Sequence, residues 1–148
     1  MAWREDEVEL LALPNPTLRL TFFLDYSDTM IGKQARSLAV TPESFRAELA
    51  PARTFVLKKE LDGLRQQGLV KGGRLESALV VDGHRLVNND PTLRFQDEFV
   101  RHKMTDLLGD LYLLGRPLKA HVLAVRSGHR ANARFVAALA EEIRRAEP

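Results

Sequence analysis

The sequence predicts an α+β fold, a two-layer sandwich in which a mostly antiparallel sheet packs on helices, with a small strand-helix-hairpin insert. Strand patterns dominate the first forty residues, whereas the longest helical patterns follow residue 96. A chain of 148 residues can bury one hydrophobic core and is short for two. We therefore expect a single domain spanning residues 1–148.

Two strand patterns open the chain. Residues 7–12 are suited to a strand, and residues 17–25 alternate apolar and polar side chains in the way typical of a half-buried strand. The turn Pro14-Asn15-Pro16 separates them, so we predict that they pair as a hairpin. Residues 35–40 are predicted to form a third strand.

The first helix has clear boundaries. Thr41 is suited to the N-cap and Pro42 to the first helical position, while Pro51 ends the helix after about residue 50. Next, residues 55–88 are predicted to form the insert, because leucines at helical spacing are followed by the hairpin turn Asp82-Gly83.

The insert is more apolar than so short a unit can easily hide within itself. It either lines a slot for a hydrocarbon chain or packs on the main core, and composition alone favours packing. The apolar residues concerned are Leu57, Leu61, Leu64, Leu69, Val70, Leu75 and Val80.

Residues 97–114 are predicted to form one amphipathic helix, which Gly115 ends with a left-handed cap. His102, Asp106 and Asp110 share the face opposite the apolar one. The apolar face carries Val100, Met104, Leu107, Leu108, Leu111 and Leu114.

The side chains of His102 and Asp106 lie one helical turn apart, which is the spacing of two zinc ligands on one helix. The same spacing also suits a surface ion pair or a structural hydrogen bond, and spacing alone favours these simpler interpretations. A catalytic zinc site needs three protein ligands, so the pair is not a complete site.

His129 lies between a predicted strand at residues 118–125 and a last helix at about residues 131–145. A nearby carboxylate such as Asp110 would favour the imidazolium, so His129 could exchange a proton near neutral pH. The simpler interpretation is a histidine that caps a loop. His84 and His121 are expected to be structural or merely exposed.

Composition excludes several classes of function. The chain has no cysteine, so neither disulfides nor thiolate metal sites are possible, and its net charge is only +2. The sequence has no stripe of Lys and Arg with interleaved aromatic residues, which is the pattern typical of nucleic-acid binding. No apolar run approaches the roughly 20 residues that span a bilayer, and the acidic N-terminus carries no export signal, so a cytoplasmic location is expected.

Basic residues gather around the central helix and the segment that follows it. They suit either a phosphorylated small molecule or an ordinary solvated surface. They are Arg101, Lys103, Arg116, Lys119, Arg126 and Arg130.

Several motifs then occur in one order along the chain. They are Ala52-Arg53-Thr54-Phe55, Gly68-Leu69-Val70-Lys71-Gly72-Gly73, Arg94-Phe95-Gln96-Asp97-Glu98-Phe99-Val100-Arg101-His102-Lys103, Gly109-Asp110-Leu111 and Ser127-Gly128-His129. In this order and spacing they resemble the C-terminal half of the zinc-dependent UDP-3-O-acyl-N-acetylglucosamine deacetylase family, which performs the committed step of lipid A synthesis. The resemblance covers nearly the whole chain from about residue 18.

The resemblance implies a two-domain enzyme with its active site between two sheet-and-helix halves. It implies that His102 and Asp106 are zinc ligands and that Lys103 contacts the substrate UDP-3-O-acyl-N-acetylglucosamine. Zinc would lower the pKa of its bound water and polarise the acetamide carbonyl.

Further roles follow from the same resemblance. His129, with Asp110 as its partner, would be the general acid toward the leaving amine. Thr54 would help to hold the oxyanion, and Phe55 would lie against the substrate. The insert would hold the 3-O-acyl chain in an apolar passage, which favours the slot interpretation for residues such as Leu57, Leu61, Val70, Leu75 and Val80.

The chain departs from the family pattern at the remaining zinc ligand. That histidine and the adjacent glutamate, the general base, belong to the N-terminal half of the family, and no Glu-His pair occurs in these residues. We therefore expect weak zinc binding and little turnover unless an N-terminal domain or a partner subunit supplies the missing groups. The competing hypothesis is a non-catalytic relative that binds an acylated or nucleotide-linked ligand. A third hypothesis, a purely structural domain, does not explain why His102, Asp106, Asp110 and His129 are all present.

Overall fold

A computed structural model describes residues 1–66 and 78–146 of the chain, which in these ranges form eight strands in two sheets and four α-helices. The predicted α+β class is confirmed. The strands are β1 (Ala2–Glu5), β2 (Val8–Pro14), β3 (Arg19–Tyr26), β4 (Gly32–Ala39), β5 (Thr54–Leu57), β6 (Ala78–Asp82), β7 (Arg85–Leu86) and β8 (Ala120–Val125). The helices are α1 (Pro42–Ser44), α2 (Lys58–Gln66), α3 (Glu98–Leu111) and α4 (His129–Ala146).

The larger sheet has the strand order β1-β2-β8-β3-β4, with all neighbours antiparallel except β8 and β3, which are parallel. The predicted hairpin of the first two strand patterns, here β2 and β3, is therefore wrong. The turn Pro14-Asn15-Pro16 is not one of the two-residue turns that close a hairpin, and β8 inserts between the two strands. The strand β1 was not predicted, because its four residues carry no apolar alternation.

Helices α3 and α4 pack against each other and contact the sheet, α3 on β3 and α4 on β2. Alternate residues of the central strands are buried, and the same core includes the apolar face of α3. Of that predicted face, Leu114 alone is half-buried and the other five residues are buried. The fold thus directs the opposite face of α3 away from the core.

The two long helices lie close to their predicted boundaries, with differences at single ends. Helix α3 continues as a 3₁₀ turn (Tyr112–Leu114), and Gly115 adopts the predicted left-handed conformation with φ of 70°. Helix α4 begins at His129 rather than at about residue 131, so His129 is a helical residue and not a loop residue. None of the helices in the described ranges is long and apolar enough to cross a membrane.

The short helix α1 begins as predicted. The Thr41 side chain accepts a hydrogen bond from the Ser44 backbone, and the Ser44 hydroxyl accepts one from the Thr41 backbone. The segment continues as a π-helical turn (Phe45–Leu49) that packs against α3. The cap therefore fixes where the chain leaves β4.

The insert forms the smaller sheet, with the strand order β5-β6-β7 and with α2 packed on β5 and β6. Leu57 is buried in the main core, whereas Leu61 and Val80 are buried outside that cluster. Val70 and Leu75 lie outside the described residues, as does Leu69. The described part of the insert is thus the predicted strand-helix-hairpin unit.

Candidate functional site

The centre of the candidate site is a pair of side chains on successive turns of α3. His102 Nε2 and Asp106 Oδ1 lie 3.3 Å apart, and the two side chains are only 17% and 15% exposed. Helical geometry brings them together, since residues four apart lie one above the other on the same face. An imidazole nitrogen and a carboxylate oxygen at this separation can converge on one metal ion.

The surroundings of His102 favour its neutral form. Burial lowers the pKa of the imidazole, and the charge on Lys103 acts in the same direction, while the Asp106 carboxylate and a hydrogen bond to the Ala52 backbone raise it. The ring of Phe55 meets the imidazole edge to face, with the ring centroids 6.2 Å apart. A neutral imidazole is the form that binds a metal ion.

Lys103 lies beside the same pair and is equally shielded, with 14% of its side chain exposed. Its Nζ donates to Asp106 Oδ2 at 2.9 Å, on the oxygen that does not face His102. The two oxygens of Asp106 therefore have separate neighbours, an imidazole and an ammonium group.

A second pair joins α3 to the start of α4. His129 Nδ1 lies 2.9 Å from Asp110 Oδ2 and 3.1 Å from Oδ1, and 70% of the His129 side chain is exposed. Because an ionised carboxylate only accepts hydrogen bonds, Nδ1 carries the hydrogen and Nε2 is left to exchange a proton. His129 Nε2 is 3.9 Å from Asp106 Oδ1, so the two pairs are contiguous.

Asn132 is a part of this site that sequence reasoning missed. It is fully buried, and its Nδ2 donates to Asp110 Oδ2 at 2.8 Å. The signal was present: Asn132 lies on the apolar stripe of α4, one turn before Phe135 and Val136. A polar side chain at such a position needs a hydrogen-bond partner, and Asp110 is that partner.

The structure places Thr54 and Phe55 at the start of β5, and the Phe55 ring lies next to that of His102. Thr54 is exposed, and Phe55 is half-buried. The Phe55 ring also meets Tyr26 and Phe99 edge to face, with centroid distances of 5.8 and 5.2 Å. Phe55 thus links the core residue Phe99 to the edge of the site.

A cavity of about 520 Å³ opens beside this aromatic cluster. It lies where β3 and β8 end. Its lining includes Tyr26, Leu57 and Ser127, the cationic side chains Lys59 and Arg126, and the acidic side chains Asp25, Asp28 and Glu60. Ser127 is buried, and its hydroxyl has no hydrogen-bond partner within the described part of the chain. Acidic and cationic side chains thus line the cavity together with one aromatic ring, so its charge alone does not select an anionic ligand.

The other two histidines lie elsewhere. His84 is exposed in the turn between β6 and β7. His121 Nε2 lies 2.8 Å from Thr21 Oγ1 on the larger sheet, which fits the structural role expected for it. The structure thus brings together His102, Asp106, Asp110 and His129 but neither of these two.

The donor set fits a metal ion only in part. In residues 1–66 and 78–146, no group of three or more His, Cys, Asp or Glu side chains is arranged to hold one. His102 and Asp106 have the chemistry and spacing of two zinc ligands, and a catalytic site needs a third.

Comparison with known proteins gives this geometry a context. A sequence profile of the family described as UDP-3-O-acyl N-acetylglycosamine deacetylase matches residues 1–141. The chain belongs to this family.

Curated members of the deacetylase family are similar to the chain over most of its length. The UDP-3-O-acyl-N-acetylglucosamine deacetylase of Chlamydia pneumoniae is 46% identical over 134 residues, covering 90% of this chain and 47% of that protein. Those of Thermosynechococcus vestitus and Synechocystis are 46% and 42% identical, covering 93% and 94% of this chain and 47% and 50% of their own lengths. The chain spans about half the length of these deacetylases.

Proposed function

We propose that this chain is the second half of a zinc-dependent deacetylase that removes the N-acetyl group from UDP-3-O-acyl-N-acetylglucosamine in lipid A biosynthesis, and that it is inactive without the first half. The observation that carries the proposal is the contiguous arrangement of His102, Asp106 and Asp110 along α3 with His129 at the start of α4. The share of the relatives that the chain covers supports the assignment to one half.

His102 and Asp106 are the residues that would hold zinc. When bound, zinc lowers the pKa of a water molecule and polarises the acetamide carbonyl. The neutral imidazole and the shielded carboxylate fit this role, and the third ligand and the general base would come from the first half.

The chain's own groups would handle the leaving amine. Asn132 and Asp110 fix the His129 ring through Nδ1, which leaves Nε2 pointing toward the Asp106 side of the site. An exposed imidazole held in this way can deliver a proton from Nε2 to a departing nitrogen. His129 is therefore assigned as the general acid.

Three further residues would contact the substrate around the reacting carbonyl. Lys103 offers an ammonium group beside Asp106, the exposed Thr54 hydroxyl can donate to the oxyanion, and Phe55 supplies an apolar surface. Lys103 contacts Asp106, Phe55 lies next to His102, and Thr54 precedes Phe55 in the chain.

The rest of the substrate needs two more surfaces. At the cavity beside Phe55, Lys59 and Arg126 would be the groups that pair with the nucleotide diphosphate, and they would have to outweigh the carboxylates of Asp25, Asp28 and Glu60 in the same lining. The insert would hold the acyl chain against Leu57, Leu61 and Val80, with Val70 and Leu75 outside the described residues.

The proposal is tested by supplying the other half. We expect the chain alone to bind zinc weakly, and its affinity to rise by at least about tenfold when the first half of a full-length relative is added, because a third ligand completes the set. Competition with a chromophoric chelator measures the affinity, and release of the free amine from the acyl-sugar nucleotide measures turnover. If the pair stays inactive while the chain alone binds the acyl-sugar nucleotide, the non-catalytic alternative is correct.

A pH dependence of stability follows from the environment of His102. Because burial lowers the pKa of this imidazole below its ordinary value of 6.5, the unfolded chain takes up a proton at a higher pH than the folded chain. The resulting stabilisation is complete above pH 6.5 and is lost as the pH falls from there through the folded-state pKa. Urea unfolding in the presence of a chelator should show a steeper loss below pH 6.5 for wild type than for His102→Gln. Parallel curves would contradict the assignment.

A further inference from the structure

Asn132 is a fully buried amide on the apolar stripe of α4, and its two polar atoms differ in their hydrogen bonding. Its Nδ2 donates to Asp110 Oδ2 at 2.8 Å, whereas its Oδ1 is buried and receives no hydrogen bond from the described residues. A buried acceptor without a donor destabilises a fold, because the acceptor has lost its hydration. The other buried residues of α4 are apolar, so stability alone would favour an apolar residue at this position as well.

The one hydrogen bond of the amide group is made to the partner of the proposed acid. Asp110 Oδ2 accepts from His129 Nδ1 at 2.9 Å and from Asn132 Nδ2 at 2.8 Å. The two donors lie three residues apart in the first turn of α4, a spacing that brings side chains to the same side of a helix. The Asn132 backbone N–H donates to the Gly128 carbonyl at 2.9 Å, so this turn is closed. One carboxylate of α3 is thus held by two donors of α4.

The three side chains differ steeply in exposure. His129 has 70% of its side chain exposed and Asp110 has 18%, whereas Asn132 is fully buried. An exposed side chain keeps its rotational freedom unless a fixed neighbour restrains it, and a packed core restrains a buried one. The core therefore fixes Asn132, Asn132 restrains Asp110, and Asp110 restrains the imidazole.

From these contacts we propose that Asn132 is a positioning residue that holds the Asp110 carboxylate on His129 Nδ1, and that it occupies a core position at a cost in stability for this purpose. A buried polar atom without a partner needs an explanation, and residues that serve a site commonly reduce the stability of the fold. The inference rests on the proposed function for the effect on turnover and on geometry alone for the effect on the ring.

The test substitutes Asn132→Leu, which keeps the number and branching of the heavy atoms and removes the donor and the unpaired acceptor together. In the metal-free chain with ¹⁵N-labelled histidine, at a pH where the ring is neutral, we expect wild type to show the Nδ1–H tautomer of His129 and the variant to show a mixture. The urea midpoint of unfolding should equal or exceed that of wild type. A lower midpoint would show that the amide serves the fold, which would overturn the proposal.

Turnover after reconstitution with the first half of a full-length relative gives a second measurement. We expect kcat to fall by about 10- to 100-fold in Asn132→Leu, because the acid is misplaced, while KM and zinc affinity stay within about twofold of wild type. In a His129→Ala background the same substitution should change kcat by less than about twofold, since the group that it positions is absent. An equal loss of kcat in both backgrounds contradicts a positioning role.

Val136→Ala is the matched control. Val136 lies one turn after Asn132 on the same stripe, is 4% exposed, and has no hydrogen-bonding group in its side chain. Its truncation should lower the urea midpoint, yet keep the Nδ1–H tautomer of His129 and a kcat within about twofold of wild type. A mixed tautomer in Val136→Ala would show that any loosening of α4 releases the ring, and the specific role of Asn132 would then be wrong.

A folded Asn132→Leu chain that keeps the wild-type tautomer and kcat would also overturn the proposal. If Asn132→Leu fails to fold, Asn132→Ala decides, because alanine removes the same donor without adding bulk to the core. A mixed tautomer in that variant supports the proposal, and a single one contradicts it. Failure of the proposed function looks different: the reconstituted wild type would then release no amine, while the tautomer and the urea midpoint still decide the role of Asn132.

Discussion

Under the proposed function, replacing His102 with alanine is expected to abolish the zinc binding and the deacetylation that the chain would gain from the first half of a full-length relative. The substitution removes one of the two proposed ligands and leaves Asp106, whose Oδ2 stays paired with Lys103, to hold the metal from this helix without the imidazole. We expect kcat/KM to fall by on the order of a thousandfold, about 4 kcal/mol of transition-state stabilisation. Zinc content after dialysis and the rate of amine release measure the two effects.

His84→Ala provides the control for this prediction. His84 is exposed in a turn of the smaller sheet and is not among the residues that the fold brings to the site. The substitution should leave zinc binding and turnover of the reconstituted enzyme unchanged. Retention of both properties in His102→Ala would remove this histidine from the metal site.

The parts of the site that sequence could predict depend on local geometry. The periodicity of α3 alone places His102, Asp106 and Asp110 on one face, because a helix fixes the relation between residues four apart. The end of that helix at Gly115 is predictable for the same reason, since a left-handed cap is a property of a few adjacent residues. Both features depend on residues close together in the chain, so they can be predicted without knowing how distant segments pack.

The parts that sequence could not predict depend on pairing between distant segments. The parallel neighbour of β3 is β8, about a hundred residues later, and no local pattern specifies that choice. The same holds for Arg53 at Glu98. Sequence identified the side chains that could do chemistry, whereas packing determined what orients them.

Burial differs between the charged residues of α3 that stabilise the fold and those that are proposed to take part in chemistry. Glu98 and Arg101 are buried and fully engaged with side chains of other segments, whereas Asp106 and Asp110 keep part of their surface accessible. A stabilising role needs no access, but a reacting group does. The predicted chemistry therefore belongs to Asp106 and Asp110, whereas Glu98 and Arg101 stabilise the packing of α3 against neighbouring segments.

Phe99→Ala is expected to cause the largest loss of stability of any single truncation near the site. Phe99 is 1% exposed in the main core, and its ring meets that of Phe55 at a centroid distance of 5.2 Å. Truncating a buried phenylalanine costs about 3–5 kcal/mol, a large share of the 5–15 kcal/mol that holds a typical domain folded. Thermal unfolding should shift down by about 10 °C or more.

Tyr112→Ala distinguishes loss of core packing from loss of any aromatic ring at α3. Tyr112 follows the same helix and is 80% exposed, so its removal should change the free energy of unfolding by no more than about 0.5 kcal/mol. Phe99→Ala should also free the Phe55 ring, which would lose its inner neighbour and keep its ring contacts with Tyr26 and His102. In the reconstituted enzyme this should raise KM even at temperatures where the variant is folded. An unfolding curve for Phe99→Ala that matches that of Tyr112→Ala would show that the aromatic link between core and site carries no stability.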